Sequence, residues 1–249
     1  MDQRSLYKRQ AEHCILSGGA RDAALLGRDQ YVRDFIASRR RVEDAPLKII
    51  ELSVGEGRFA ALLLDSLANV HLTGVDISID RLNYVDALLR DIYEITADNF
   101  KLVECNLDLE FDRIASSAYR VVVALDILEH VVDVFGFIDN CHRILESGGW
   151  LVIRVPNIAY IKHRVDLLAG KLPVTASWFG SRNELTPWRL LHGWDGGHLH
   201  LFTIPILCKL LSEYGLNVEI CKDPGTRFSK IRNLWPSLLY SNPIIIAKK

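Results

Sequence analysis

The sequence predicts an α/β protein with a mostly parallel sheet that is covered by helices on both faces. Short apolar runs alternate with helical segments from residue 47 to residue 155, and this alternation is typical of parallel strands joined by crossover helices. The chain has 249 residues, of which 49% are hydrophobic and 24% charged. It is therefore long enough and apolar enough to bury a full core.

The predicted strands are short apolar runs that end at polar, glycine or proline residues. Pro46 precedes the first of them and Pro156 follows the fifth. The runs are 47–52, 70–75, 100–105, 121–124, 150–155, 217–221 and 243–247. Together they predict a seven-stranded sheet. The last two strands follow residues 157–202, a segment rich in histidine and tryptophan that interrupts the alternation of strands and helices.

Helices are predicted between these strands and ahead of them. Those between and after the strands cover residues 59–67, 79–93, 134–145 and 204–214. Gly148 and Gly149 are expected to stop the third of these, because glycine tolerates the left-handed conformation of a helix C-cap. Residues 1–45 read as an N-terminal helical extension, 46–249 as the main domain, and 157–202 as an elaboration on the substrate side.

Charge and cysteine content exclude several classes of protein. Thirty basic residues against 31 acidic ones give a net charge of -1, so no overall field attracts nucleic acid or an anionic membrane. No apolar stretch approaches the ~20 residues of a membrane helix, and the charged start lacks the apolar core of a signal peptide. Five scattered cysteines without a CxxC pair indicate neither a disulfide framework nor a zinc ribbon. We expect a reduced, cytoplasmic protein.

A glycine-containing turn follows the first predicted strand, in the sequence Glu51-Leu52-Ser53-Val54-Gly55-Glu56-Gly57. Glycine lets the backbone turn sharply and approach a ligand closely, and the next helix presents its N-terminal N–H groups there. The run 55–60 also satisfies the GxGxxA dinucleotide pattern, and Asp76 is at a suitable distance to hold a ribose. On these residues alone, adenosylmethionine, NAD and a purely structural turn all remain open.

Three later segments distinguish between these interpretations. Residues 126–131 (DILEHV), 143–153 (RILESGGWLVI) and 155–157 (VPN) resemble segments of class I S-adenosylmethionine-dependent methyltransferases. The resemblance is closest to the ubiquinone-biosynthesis O-methyltransferase type and its relatives that act on small molecules. Residues 198–203 (HLHLFT) resemble a further segment of these relatives. A dehydrogenase has no reason to carry these segments together. The resemblance implies a Rossmann-like sheet and S-adenosylmethionine as cofactor.

The resemblance also assigns roles to residues by position. It implies that Gly55 and Gly57 pass close to the methionine part of the cofactor, that Glu51 orients that part, and that Asp76 accepts the ribose hydroxyls. Asn106 stands where the family has an aspartate for the adenine amino group. The full implied set is Glu51, Ser53, Gly55, Gly57, Asp76, Ile77, Asn106, Leu107, Asp126 and Leu128.

Three residues depart from the family pattern. Ser53 stands where the family most often has its first glycine, and Val54 stands where a small residue or a cysteine is common. Asn106 has no charge with which to strengthen a hydrogen bond to adenine. If the backbone at Ser53 needs a positive φ, serine has a steric cost that glycine avoids. These departures favour the main alternative, a non-catalytic methyltransferase-fold partner protein. An NAD-dependent enzyme is the other alternative.

The implied reaction is methyl transfer to a small-molecule acceptor, at oxygen or nitrogen. A hydroxyl acceptor needs a base, and histidine is suited to that role near neutral pH. The candidates are His198, then His130 and His200. His198 and His200 would share one face of an extended segment, but no third ligand stands at zinc-site spacing, so no metal is predicted. The sequence is compatible with a homodimer.

The elaboration after the fifth strand is expected to form the acceptor pocket, because ligands bind beyond the carboxyl ends of parallel strands. Trp178, Trp188 and Trp194 would supply apolar surface, and Arg182 and Arg189 would bind an acidic acceptor. The alternative is that this segment packs on the sheet or forms a dimer contact.

Overall fold

The computed structural model describes residues 27–39, 45–175, 197–224 and 229–249. Within these ranges the strands form one seven-stranded sheet of order β3-β2-β1-β4-β5-β7-β6. The strands are β1 (Leu47–Leu52), β2 (Val70–Asp76), β3 (Phe100–Glu104), β4 (Tyr119–Leu125), β5 (Leu145–Arg154), β6 (Asn217–Lys222) and β7 (Ile244–Lys248). Strands β1 to β5 are parallel, and β7 runs antiparallel to both β5 and β6. The predicted α/β class and mostly parallel sheet are confirmed.

Helices cover both faces of the sheet. They are α1 (Gly27–Ser38), α2 (Arg58–Ser66), α3 (Ile79–Ala87), α4 (Val134–Ile144), α5 (Ile161–Leu168), α6 (Ile204–Glu213), α7 (Ser229–Arg232) and α8 (Pro236–Leu239). A short π-helical turn, Leu88–Ile92, extends α3. None of the helices in the described part of the chain combines the length and apolar character needed to cross a bilayer.

The core is divided by the sheet, as alternation along β1 shows. Successive side chains of a strand point to opposite faces, so Ile49 packs with α1 and α2 on one face and Ile50 packs with α4 and α6 on the other. Both isoleucines are fully buried. Burial on both faces explains why the inner strands are continuous apolar runs rather than alternating ones.

The strand order places a crevice at the carboxyl ends of β1 and β4. From β1 the chain moves outward through β2 and β3, and from β4 it moves the other way to β5. Ligands of open parallel sheets bind where the direction reverses in this way. The loops that follow these two strands therefore mark the position of the site.

The predicted role of Gly148 and Gly149 was wrong. Helix α4 ends at Ile144, and β5 begins at the next residue, so the glycines lie inside the strand rather than after the helix. The pairing of β4 with β5 is irregular there, because Tyr119 pairs with Leu145 whereas Val121 pairs with Trp150. A Cβ on Gly149 would lie 2.9 Å from the carbonyl oxygen of Glu146. The glycines serve a bulge in β5.

The N-terminal segment is described only from residue 27. Helix α1 buries Val32, Phe35 and Ile36 in the core on the α2 side of the sheet. The indole of Trp150 meets the Phe35 ring edge to face, with ring centroids 5.4 Å apart. Residues 1–26 and 40–44 lie outside the described part of the chain. Helix α1 therefore packs as part of the main domain.

The elaboration leaves and rejoins the domain at a single point. Asn157 forms an isolated parallel bridge with Phe202, and Ile158 N donates to Phe202 O at 2.9 Å. The side chain of Asn157 is buried and donates to the carbonyls of Ser237 and Tyr240 at 3.1 and 2.8 Å. Helix α5 begins the segment. The tryptophans and arginines of the predicted acceptor pocket, Trp178, Trp188, Trp194, Arg182 and Arg189, lie outside the described residues.

Candidate functional site

Two connected cavities open at the carboxyl ends of β1, β2 and β4. The larger has a volume of about 500 Å³ and extends from the glycine turn to Arg154 and His198. The smaller, of about 40 Å³, lies beside Asp76 and Asn106. Ser53 and His130 line both. The site therefore lies where the strand order predicts it.

Most of the residues that the sequence assigned to the site line these cavities. They are Glu51, Ser53, Gly55, Asp76, Ile77, Asn106, Leu107, Asp126, His130 and His198. Gly57, Leu128 and His200 are not among the lining residues. Leu128 is fully buried and packs in the core, whereas His200 packs against Phe202, with ring centroids 6.3 Å apart.

The glycine turn has a left-handed backbone at three positions. The φ angles of Ser53, Gly55 and Gly57 are 67°, 57° and 74°. A Cβ on Gly55 would have Ser53 O, 4.0 Å away, as its nearest contact, so it would extend into open space. A Cβ on Gly57 would lie 3.0 Å from both Cγ atoms of Val85 on α3. Gly55 keeps the cavity open, and Gly57 lets two helices approach.

Asp76 ends β2 with both carboxylate oxygens in hydrogen bonds. Gly55 N donates to Oδ2 and Ser78 N to Oδ1, each at 3.0 Å. Nη1 of Arg81 lies 3.9 Å from Oδ2. Burial raises the pKa of Asp76, although Arg81 and the backbone donors act in the opposite direction. The carboxylate is thereby fixed between the glycine turn and the smaller cavity.

Glu51 is a second buried carboxyl group on the cavity wall. It is 5% exposed, and among the described residues its Oε2 has no hydrogen-bond partner. Burial raises the pKa of Glu51 well above the ordinary value, and nearby Asp29 raises it further. A buried carboxyl oxygen without a hydrogen-bond partner lowers the stability of the fold. A ligand that supplies a donor or a cation to this atom would remove that cost.

An ion-pair cluster that the sequence did not predict crosses the larger cavity. Asp126 accepts hydrogen bonds from Nη1 of Arg28 on α1 and from Nη1 of Arg154 at the end of β5. Nε of Arg28 also donates to Asp29 at 2.8 Å. Arg154 could have been found, because it ends a strand at the ligand edge. Arg28 had no such signal, since its place depends on how α1 docks.

Asn106 is held in a tight turn beside the smaller cavity. Its Oδ1 accepts from Asp108 N at 3.0 Å, and its backbone N–H donates to Oε2 of Glu110 at 3.0 Å. The side chain is buried. A carbonyl oxygen has two lone pairs, so one acceptor site on Oδ1 remains for a second donor.

Two of the three candidate histidines meet at the cavity. The ring centroids of His130 and His198 are 4.7 Å apart. Nδ1 of His130 lies 3.3 Å from Gly197 O, and Nδ1 of His198 lies 2.6 Å from Oγ1 of Thr175. The backbone N–H groups of residues 199 and 200 both donate to Glu129 O. This anchoring brings a distant segment of the chain against the loop after β4.

Three side chains at this point could hold a metal ion. The ligand atoms of Glu129, His130 and His198 all lie within 4.8 Å of one another. Two imidazoles and a carboxylate form a donor set that suits zinc and similar divalent cations. The sequence suggested His198 and His200 as a pair without a third ligand, whereas the structure groups His198 with Glu129 and His130, which follow β4.

The whole arrangement offers distinct chemistry along one crevice. Asp76 places a carboxylate beside the smaller cavity, and Glu51 places a buried carboxyl group near Arg28. Histidines suited to proton transfer lie beyond them. Such a crevice can take a ligand that offers hydrogen-bond donors at Asp76, a cation at Glu51 and a reacting group near the histidines.

Comparison with known proteins identifies the family. Residues 26–219, more than half of the chain, match the family described as "Methyltransferase domain". The [4+2]-cyclase SpnF superposes with a TM-score of 0.64 at 14% identity, covering 99% of this chain and 94% of that one. An S-adenosylmethionine-dependent methyltransferase from Mesorhizobium loti has a TM-score of 0.58 at 16% identity, covering 89% and 100%.

A third structural relative acts on carbon. The CurJ carbon methyltransferase has a TM-score of 0.59 at 18% identity, covering 88% of this chain and 53% of that one. No curated protein matches the sequence. At these identities the structural likeness shows the fold, and the family match carries the assignment. The chain belongs to the methyltransferase-domain family, and its fold is that of S-adenosylmethionine-dependent methyltransferases.

Proposed function

We propose that the protein binds S-adenosylmethionine and transfers its methyl group to a small-molecule acceptor. The observation that carries this proposal is the position of Glu51, whose buried Oε2 has no partner among the described residues and adjoins the arginine of α1. An α-ammonium group would satisfy that oxygen, and Arg28 would bind the neighbouring carboxylate. Adenosylmethionine has both groups at one end.

The same observation argues against NAD. A dinucleotide would place its pyrophosphate beyond the glycine turn, where Glu51 and Asp126 line the cavity. A pyrophosphate carries no ammonium group, so it would leave Oε2 of Glu51 without a cation. The zwitterionic end of adenosylmethionine instead meets one acidic and one basic partner.

The remaining residues fit the other parts of the cofactor. Asp76 would accept hydrogen bonds from the ribose hydroxyls, because a carboxylate can meet a vicinal diol with two oxygens. Asn106 would accept from the adenine amino group in the smaller cavity. With the cofactor bound, the activated methyl group on its sulfonium is the reacting group, and the chain's task is alignment.

The acceptor side of the cavity supports a small molecule and a base. The larger cavity, about 500 Å³, has the size of small-molecule sites, and the net charge of -1 disfavours nucleic acid. For a hydroxyl acceptor, His198 would accept the proton, with Thr175 holding the orientation of its ring. For an amine acceptor, orientation of a neutral nitrogen is sufficient. The scattered cysteines favour a cytoplasmic location.

A methyltransferase-fold partner protein without activity is the second candidate. It is supported by Ser53, which holds a left-handed backbone in place of a glycine, and by Asn106, whose side chain already accepts one hydrogen bond. Both features would weaken cofactor binding.

Two measurements test these proposals. Isothermal titration with adenosylmethionine and with NAD should give binding only for the first, and stronger binding of NAD would contradict the assignment. Incubation with methyl-labelled adenosylmethionine and a metabolite extract, followed by mass spectrometry, should reveal a labelled product. Cofactor binding without a labelled product from any extract would favour the partner protein.

A further inference from the structure

Two buried carboxyl groups lie together below the larger cavity. Asp29 of α1 is 0% exposed and Glu51 of β1 is 5% exposed. Each has one oxygen, Oδ2 and Oε2 respectively, without a hydrogen-bond partner among the described residues. Two ionised carboxylates in such surroundings are strongly disfavoured, both by burial and by mutual repulsion.

The charges around Glu51 come from two neighbouring elements. Helix α1 contributes Arg28 and Asp29, β2 contributes Asp76, and all three interact with Glu51 electrostatically. The guanidinium of Arg28 is shared, because it also pairs with Asp29 and with Asp126 after β4. Asp76 has its own cation in Arg81. Because Arg154 also pairs with Asp126, two guanidinium groups serve three carboxyl groups, those of Asp29, Glu51 and Asp126.

We propose that Glu51 carries a proton in the ligand-free protein, that Asp29 keeps it there, and that the α-ammonium group of the bound cofactor replaces it. The proton on Glu51 then leaves to solvent as the ammonium group arrives. No bond other than this O–H bond is broken. Asp29 is a positioning residue that acts through Glu51. This inference rests on the proposed cofactor.

The replacement follows from the balance of charge at the pair. A proton and an ammonium group each bring one positive charge to the two carboxyl groups. One such charge balances one of the two carboxylates, so either group can take this place. Raised pKa values of buried acids next to other acids have the same origin. Because the exchange needs an ammonium group, a nucleoside ligand that lacks the amino-acid end should leave the proton in place.

Calorimetry in buffers of different ionisation enthalpy counts protons released on binding. S-adenosylhomocysteine, the product of the reaction, has the amino-acid end. 5′-Methylthioadenosine has the nucleoside and the thioether but no amino acid. Titrations at several values between pH 5 and pH 8, each in a pair of buffers that both buffer at that pH (phosphate and Tris at the upper end), should show proton release with S-adenosylhomocysteine and none with 5′-methylthioadenosine.

Two variants locate the proton. Glu51→Gln is nearly isosteric and should bind S-adenosylhomocysteine without proton release. Asp29→Asn should release fewer protons at the same pH, because Glu51 ionises more easily without a charged neighbour. Unfolding curves of both variants establish that each is folded before titration.

Other results would overturn the inference in separable ways. Equal proton release with both ligands would assign the proton to the ribose site at Asp76. Binding of S-adenosylhomocysteine without any release would leave the proposed cofactor intact and contradict the protonated Glu51. If Asp29→Asn releases as many protons as the wild type on binding S-adenosylhomocysteine, Asp29 does not influence the proton on Glu51. If neither ligand binds, the proposed function and this inference both fail.

Discussion

The imidazole rings of His130 and His198 meet edge to face, with an interplanar angle of 75°. They come from segments 68 residues apart in sequence, and the hydrogen bonds from residues 199 and 200 to Glu129 O hold the two segments together. Nδ1 of His198 lies 2.6 Å from the hydroxyl of Thr175, whereas Nδ1 of His130 lies 3.3 Å from the carbonyl oxygen of Gly197. This difference makes His198 the better-oriented base.

Replacing His198 with alanine should lower turnover by about 10²–10⁴-fold for a hydroxyl acceptor, the usual range for loss of a general base. Cofactor affinity should not change. His200→Ala is the matched control, because His200 does not line the cavity, and it should keep near wild-type turnover. Single-turnover rates with labelled cofactor make the comparison. Normal turnover in His198→Ala would transfer the role to His130.

Ser53→Gly should strengthen cofactor binding and raise the free energy of unfolding. The left-handed backbone costs an L-residue about 1–2 kcal/mol, and the greater chain entropy of glycine offsets about 0.5–1 kcal/mol of that gain. Ser117 also has a positive φ, 49°, but does not line the cavities. Ser117→Gly should therefore stabilise without changing affinity. Denaturant unfolding and calorimetry separate the two effects.

The two glycines of the turn should respond differently to valine. In Gly55→Val the side chain enters open cavity space, so cofactor binding should be lost, with about 1–2 kcal/mol of backbone strain as the stability cost. In Gly57→Val the side chain meets Val85 on α3, so stability should fall by more than this amount. A Gly55→Val variant with full cofactor affinity would show that the methionine part binds elsewhere.

Asp76→Ala should weaken adenosylmethionine binding by roughly ten- to a hundredfold, because hydrogen bonds to a charged group contribute about 1.5–3 kcal/mol. Asp98→Ala makes the same change at an exposed position next to β3 and should leave affinity unaltered. Titration calorimetry measures both. Equal affinities of the two variants would remove Asp76 from the ribose site.

The stability of the ligand-free protein should fall as pH rises above the ordinary value for Glu51, 4.5. The pKa of Glu51 is raised in the folded state, so the folded protein binds more protons than the unfolded chain between the two values, and the free energy of unfolding decreases with pH there. Glu51→Gln should reduce this slope, and Asp76, whose pKa is also raised, should leave a remainder. Glu219→Gln, at an exposed position, should not change it.

Most of the fold could be predicted because local signals agreed. The predicted strand 47–52 matches β1, and Asp76 was placed at the end of β2, because apolar runs between breakers determine these positions. The bulge of β5 was missed because two glycines in sequence resemble a helix C-cap, and only pairing with β4 distinguishes the two.

The cofactor side of the site was more predictable than the rest. Glu51 and Asp76 lie at the carboxyl ends of β1 and β2, and Gly55 lies in the turn after β1, so their order in the sequence already places them at the ligand-binding edge of the sheet. Arg28 and Asp29 belong to a helix whose docking depends on tertiary packing, so no local pattern marks them. His200 was favoured by its spacing from His198, but the chain turns the two residues toward different neighbours.

The bridge between Asn157 and Phe202 joins the two ends of the segment after β5 at one place in the fold. Because the segment between them starts and ends at one buried junction, its length and composition are uncoupled from the register of the sheet. Exposed segments joined at adjacent ends tolerate exchange more readily than segments that span a core. Grafting the equivalent piece of a relative at this junction, with Thr175 and residues 197–200 retained, is therefore expected to leave the sheet intact and would test whether the grafted part changes the choice of acceptor.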